Sequence, residues 1–234
     1  MHHFFRLRGT LTAILCAAFF IPTQARTIAD STARALYHSL AIPDRPDVDL
    51  LRRALTGYYQ LRQQDKLSDK QIITVVDFRR ASSERRLWVI DLATGKIRYH
   101  ALVAHGRNSG ELYATRFSNR VSSYQSSLGF YVTGDTYYGK HGLSLKLHGT
   151  EKGINDKAEV RAIVMHGAEY VSESFVRKVG RLGRSLGCPA IPNEIHRELI
   201  REVAGGTCLF IYYPDEDYLR MSSMGTTSSP IVSR

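Results

Sequence analysis

Two reactive residue types stand in a pattern that suits acyl chemistry. The apolar run Ala162-Ile163-Val164-Met165 ends in His166-Gly167, and 22 residues after His166 the stretch Gly183-Arg184-Ser185-Leu186-Gly187-Cys188-Pro189 delivers a cysteine. A free thiol, with a pKa of roughly 8.5, is only a few per cent thiolate at pH 7, so a nucleophilic cysteine needs a base beside it. An imidazole, with a pKa of roughly 6.5, can take that proton and later return it to a leaving amine. Cys188 therefore reads as a nucleophile and His166 as its base. Gly187, with no side chain, is expected to let a substrate approach closely and to leave backbone N–H groups near Cys188 free for an oxyanion.

The elements that must position this pair are mostly short strands. Ile72–Phe78, Leu87–Asp91, Lys96–Ala104, Phe130–Thr133, Leu143–Leu147 and Ala162–Met165 read as strands, with a Gly95 turn between the second and third. A short helix over Ser172–Val179 ends at Gly180. A longer one is expected over Pro192–Val203, with Pro in its first turn, an Ile195/Leu199/Val203 stripe and Gly205-Gly206 at its end. Thr207–Tyr213 reads as the last strand. Ahead of the strands, Leu36 and Leu40 fall at helical spacing. Past Pro43 and Pro46, Asp47 or Asp49 is placed to cap a second helix carrying Leu50, Leu51, Ala54, Leu55 and Tyr58 on one side. The fold class is α+β and rich in strands.

Composition narrows the function. A 43% apolar share supports a packed core, and three cysteines are too few for a disulfide scaffold. The excess of 32 Lys+Arg over 22 Asp+Glu points to anionic surroundings without choosing among nucleic acid, membrane and cell-wall polymer. The first residues suggest which. A basic start (Arg6, Arg8), an apolar run from Leu11 to Ile21 and the ending Pro22-Thr23-Gln24-Ala25 form an export signal cut after Ala25, too short to span a bilayer. For an exported chain no nucleic-acid partner is expected. Cys16 would leave with the signal. Of the remaining two cysteines, Cys208 sits in an apolar strand pattern and reads as a small buried residue rather than a disulfide partner for Cys188. His148-Gly149 is a rival to His166-Gly167 on a half-exposed strand, and it is expected to line the cleft rather than act as base. His105, His141, His148 and His166 lack zinc-site spacing, so no metal is expected.

His-Gly, a spacer and Ser-x-Gly-Cys together resemble the signature of the YkuD-like L,D-transpeptidases. Tyr137-Tyr138-Gly139-Lys140-His141-Gly142, Gly153-Ile154-Asn155-Asp156 and Arg161 to Ala168 are similar to that group's second, divergent subfamily. The resemblance covers roughly residues 70 to 213. It implies a mixed-sheet, sandwich-like catalytic domain with a helix after the cysteine, acting on peptidoglycan stem peptides. On it, Cys188 attacks a carbonyl next to diaminopimelate, and the thioester passes to an amine of a neighbouring stem or a D-amino acid. The link formed is of the three-to-three or the one-to-three type. Water as acceptor would make the chain a carboxypeptidase or endopeptidase, and a wall-binding module without catalysis is a third reading. No cofactor is implied. Ser185 and Gly187 match the loop that shapes the site, and Tyr137, Tyr138, His148 and Gly167 are expected near substrate. Two departures stand out: Leu186 replaces the usual His, and Ala190 the usual Arg. Arg184 is the expected replacement cation.

The resulting plan is a signal over 1–25, a helical extension over 26–68, a catalytic domain over 69–215 and a flexible tail over 216–234. The mature protein is expected in the periplasm.

Overall fold

A computed structural model of the chain describes residues 21–225 apart from Ala41. Most of the expected export signal, residues 1–20, lies outside the described residues, as does the end of the tail, 226–234. Helix α1 spans Ile21–Ser39 and α2 spans Val48–Gln63. Asp47 caps α2 by accepting from Leu50 N at 2.8 Å, which satisfies one of the free amides of its first turn. Ala29, Ala33, Leu36 and Leu40 bury one side of α1 against α2. Among the described residues no helix is long and apolar enough to cross a membrane.

Eight strands form one mixed sheet. They are β1 Ile72–Asp77, β2 Leu87–Asp91, β3 Lys96–Ala101, β4 Gly129–Gly139, β5 Gly142–Gly149, β6 Val164–Ala168, β7 Ala190–Pro192 and β8 Cys208–Tyr212. Their spatial order is β3-β2-β1-β8-β4-β5-β6-β7. The β1–β8 and β6–β7 pairs are parallel and the rest antiparallel. The sheet curls until its edges meet: three residues past β3, Ala104 N donates to Ala190 O of β7 at 2.8 Å. Ala104 and Ala190 are both fully buried, and their small side chains allow this approach within a cluster of Leu102, Ala168, Val171 and Leu182. The result is an α+β mixed sheet that is nearly a closed barrel. The larger core lies under α2 and α4, with Trp88, Phe130, Tyr131 and Phe210 among its fully buried side chains.

Two local expectations are corrected. The helix expected from Pro192 starts later, as α4 His196–Val203, because Ala190–Pro192 first extends as β7 beside β6. The expected tail is not bare from 216. Asp215 caps a short helix, α5 Glu216–Met221, through Tyr218 N at 2.9 Å, and Tyr218, Ser222 and Met224 are buried. Ser/Thr-rich composition concealed a cap followed by an aromatic anchor. The remaining helix, α3 Glu173–Val179, is capped by Ser172 and closed by Gly180.

A buried carboxyl holds this C-terminal segment on the sheet. Glu151 accepts from Phe130 N at 2.7 Å and lies against the Ser222 hydroxyl, which is also 2.9 Å from Met224 O. One hydroxyl proton cannot serve two acceptors, so a protonated Glu151 fits best: it donates to Ser222, and Ser222 donates to Met224 O. Burial also pushes this carboxyl up from 4.5 to about 7; the ionised form would accept from the Ser222 hydroxyl and the Phe130 amide, which opposes the rise. A raised folded pKa means a contribution complete below pH 4.5 and lost as pH climbs through 7. Ionisation then costs the fold about 3 kcal/mol. Between pH 5 and pH 8, the urea midpoint of the protein should fall relative to that of Glu151→Gln, measured by circular dichroism. Parallel pH profiles for the two proteins would contradict this.

Candidate active site

The parallel register of β6 and β7 places the two reactive residues together. His166 pairs with Ala190, so Cys188, two residues earlier, lies level with Val164 on the same face as His166. Val164 N donates to Cys188 Sγ at 3.5 Å, and the thiol donates to Ala162 O at 3.6 Å. Ala162 holds a left-handed φ of +51°, an uncommon conformation for a side chain with a Cβ. Backbone strain of this kind gathers at working sites. Cys188 and His166 line one cleft of about 390 Å³. A second cleft of the same volume, lined by residues including Leu102, Glu173 and Pro192, contains no cysteine.

The imidazole is oriented by its own strand. His166 Nδ1 donates to Gly167 O at 2.9 Å, which leaves Nε2 as the nitrogen able to accept a proton. Burial pushes His166 below its ordinary pKa. The Gly167 bond opposes this, and His141, Lys140 and His196 add to it. Burial likewise pushes the Cys188 thiol up, opposed by the Val164 amide and the charges of Arg161 and Lys140. Both shifts favour the uncharged forms. At neutral pH the pair therefore rests as thiol and imidazole, not as thiolate and imidazolium.

The loop carrying Cys188 is tied on three sides. Ser185 Oγ donates to Cys188 O at 2.6 Å and accepts from Gly187 N at 3.0 Å. Gly187 O accepts from Ser126 Oγ at 3.2 Å. Ser185 N donates to His105 O, and Arg107 N donates to Ser185 O. Behind His105 lies Arg86, fully buried, whose Nη2 donates to His105 Nδ1 at 2.8 Å and to Val103 O. His105 is pushed down to about 3 by burial and by Arg86, so its neutral ring accepts on Nδ1 and donates from Nε2 to Gly110 O.

These contacts revise two expectations. Gly187 is not an open approach for substrate: its φ is +122°, and a Cβ would stand 2.8 Å from Gln125 O. Its N–H is occupied by Ser185 and is not available to an oxyanion. Arg184 lines the cleft, yet its Nη1 is occupied by Arg107 O, Gly110 O and Glu111 Oε1, the last at 2.6 Å. Glu111, which also faces Arg181 Nη2 at 3.0 Å, offsets part of the charge of Arg184.

Arg161 is the cation that sequence reading missed. It lines the cleft, and its contacts are all to neutral oxygens: Ser118 O, Ser127 Oγ, Ser123 Oγ and Gln125 O. It clamps the 118–127 segment while keeping an uncompensated charge near the thiol. Tyr137 lines the cleft, whereas Tyr138, one residue on, points away and is 71% exposed. His148 lines a smaller adjoining cavity of about 150 Å³ and faces Glu159 at 3.9 Å, away from Cys188. Gly167 backs onto Asn193 and His196, where a Cβ would collide, and contributes its carbonyl to His166. Lys140, His141, Ser144, Tyr170 and Leu186 complete the lining. Cys208 is free and buried in β8. Among the described residues no group of three or more His, Cys, Asp or Glu is arranged to hold a metal ion.

No curated protein matches the sequence. Solved structures of similar shape include an L,D-transpeptidase from Mycobacterium smegmatis, 11% identical over 61% of this chain and 59% of that one, with a TM-score of 0.37. The helical cell shape determining protein Pgp2 of Campylobacter jejuni is 13% identical over 74% and 58%, with a TM-score of 0.40. An L,D-transpeptidase from Stackebrandtia nassauensis is 13% identical over 81% and 91%, with a TM-score of 0.36. The chain thus spans less than two thirds of the length of the first two. The model of the L,D-transpeptidase catalytic domain (YkuD_2) matches residues 44–212, and by that match the chain belongs to the L,D-transpeptidase catalytic domain family.

Proposed function

We propose that this protein is a cysteine L,D-transpeptidase of the cell wall, working in the periplasm on peptidoglycan stem peptides after removal of residues 1–25. The observation that carries the reading is the shared cleft of Cys188 and His166, with Nδ1 of the imidazole committed to Gly167 O. The family supports the substrate class, and the shared cleft supports the roles given to its residues.

The reaction proceeds in two halves. His166 Nε2 takes the Sγ proton as the sulfur bonds to the stem-peptide carbonyl carbon. The C–N bond then breaks, and the departing amine leaves with the proton from His166, giving a thioester on Cys188. An acceptor amine attacks the thioester carbonyl and gives its proton to His166, which returns it to the departing sulfur. Arg161 and Lys140 stabilise the transient sulfur charge, while Ser185 and Gly187 hold the loop in shape. Tyr137 and Arg184 form walls of the substrate cleft.

Muropeptides from sacculi treated with the mature chain, resolved by mass spectrometry, should contain new stem-to-stem dimers that Cys188→Ala does not produce. Trimmed monomers alone would make it a hydrolase, and dimers from Cys188→Ala would reject the mechanism. A resting neutral thiol also predicts slow alkylation. Iodoacetamide should label Cys188 more slowly at pH 7 than it labels a free thiol, with the rate still rising past pH 9. A rate already at its plateau below pH 7 would reveal a thiolate–imidazolium pair and contradict the assignment.

A further inference from the structure

The β4–β5 hairpin ends in Gly139-Lys140-His141-Gly142, a motif to which the proposed mechanism assigns only a charge. Gly139 pairs with Gly142 across a two-residue turn, and Gly142 adopts a left-handed φ of +73°. That turn folds the tip back over the cleft. The His141 ring lies on the His166 ring, with centroids 4.3 Å apart and planes 20° from parallel. His141 itself is exposed on its outer side.

We propose that His141 is a positioning residue: its ring packs on the face of the His166 imidazole and fixes the plane in which Nε2 meets the sulfur of Cys188. This assignment rests on the base role given to His166 above. The Nδ1 bond of His166 goes to the carbonyl of the very next residue and holds only one edge of the ring. A stacked partner restrains the remaining freedom.

The stack also helps keep the His166 ring uncharged at rest. The groups facing that ring are His141 and Lys140 from the hairpin tip, His196 from α4 and Cys188 from the loop before β7. None of these is a carboxylate, so the imidazolium formed during turnover has no anion to lean on. Burial and Lys140 also push His141 below its ordinary pKa, and its ring covers His166 from water, so removing it relieves part of the burial that holds His166 down.

Three proteins test this: wild type, His141→Ala, and His141→Phe, which keeps a stacking ring without a titrating group. Acylation of Cys188 by a stem tetrapeptide is followed by intact mass, and titration of the His166 ring is followed by NMR in histidine-labelled protein. His141→Ala should slow maximal acylation about tenfold, the scale of one aromatic pair, with half-saturation changed less than about twofold. His141→Phe should restore the rate to within about threefold. The His166 ring should titrate at a higher pH in His141→Ala than in wild type. Equal rates and equal titration in wild type and His141→Ala would overturn the assignment, as would a His141→Phe protein as slow as His141→Ala. The NMR arm is independent of turnover. Shifted titration in His141→Ala without acylation of any variant would leave the stack intact as a positioning contact and refute the enzymatic reading instead. Circular dichroism melting checks that each variant folds, and the exposed position of His141 makes both substitutions tolerable to the sheet.

Discussion

The parallel pairing of β6 with β7 is the constraint on which the site depends. Three residues of β7 are enough to set Ala190 beside His166, and that register alone lays Cys188 against the amide of Val164. A slip of one residue would turn the thiol to the opposite face of the sheet. So short a strand cannot hold its register unaided. It is fixed from its other edge, where Ala104 closes the sheet onto Ala190. Barrel closure and the placement of Cys188 beside His166 therefore meet in one short strand, β7.

The support behind the cysteine is polar and buried, which is costly unless every group finds a partner. Arg86 shows how that cost is met. Its guanidinium is fully buried and opposite no carboxylate in direct contact, and burial pushes it down to about 9. Val103 O, Arg80 O and His105 Nδ1 accept its protons. Through His105 the chain of contacts reaches Ser185, and through Ser185 both Gly187 and Cys188. Burial has a second consequence in the cleft. It raises the thiol and lowers the imidazole, so both favour their uncharged forms, and in the proposed mechanism Arg161 and Lys140 meet the sulfur anion when it forms.

Much of this was legible in the residues. Short apolar, β-branched runs located seven of the eight strands, and the aspartates ahead of the second helix narrowed its cap to Asp47 or Asp49, because both are local signals. β7 was missed because Pro192 favours a helix start as readily as a strand end, and only pairing with β6 decides between them. His166 and Cys188 were readable because their types and flanking glycines are chemically unusual together. Arg161 was not, since nothing local distinguishes a cleft cation from the other arginines; its position follows from the turn at Ala162. Arg184 was misjudged for the same reason: Glu111, 73 residues away, and two backbone carbonyls take up its guanidinium. Gly187 was recognised as necessary for the wrong cause, a positive φ and the nearness of Gln125 rather than an open approach. His141 lay in a recognised motif, yet its ring contact depends on the curvature of the hairpin.

Everything in the account passes through one proton moving from sulfur to nitrogen. The most direct measurement is the rate of acyl-enzyme formation by His166→Ala with a stem tetrapeptide, with and without added imidazole. Loss of a general base should slow it by about a hundredfold or more, and free imidazole entering the vacated space should recover part of that loss. Acylation at the wild-type rate in His166→Ala would place the base elsewhere and contradict the account.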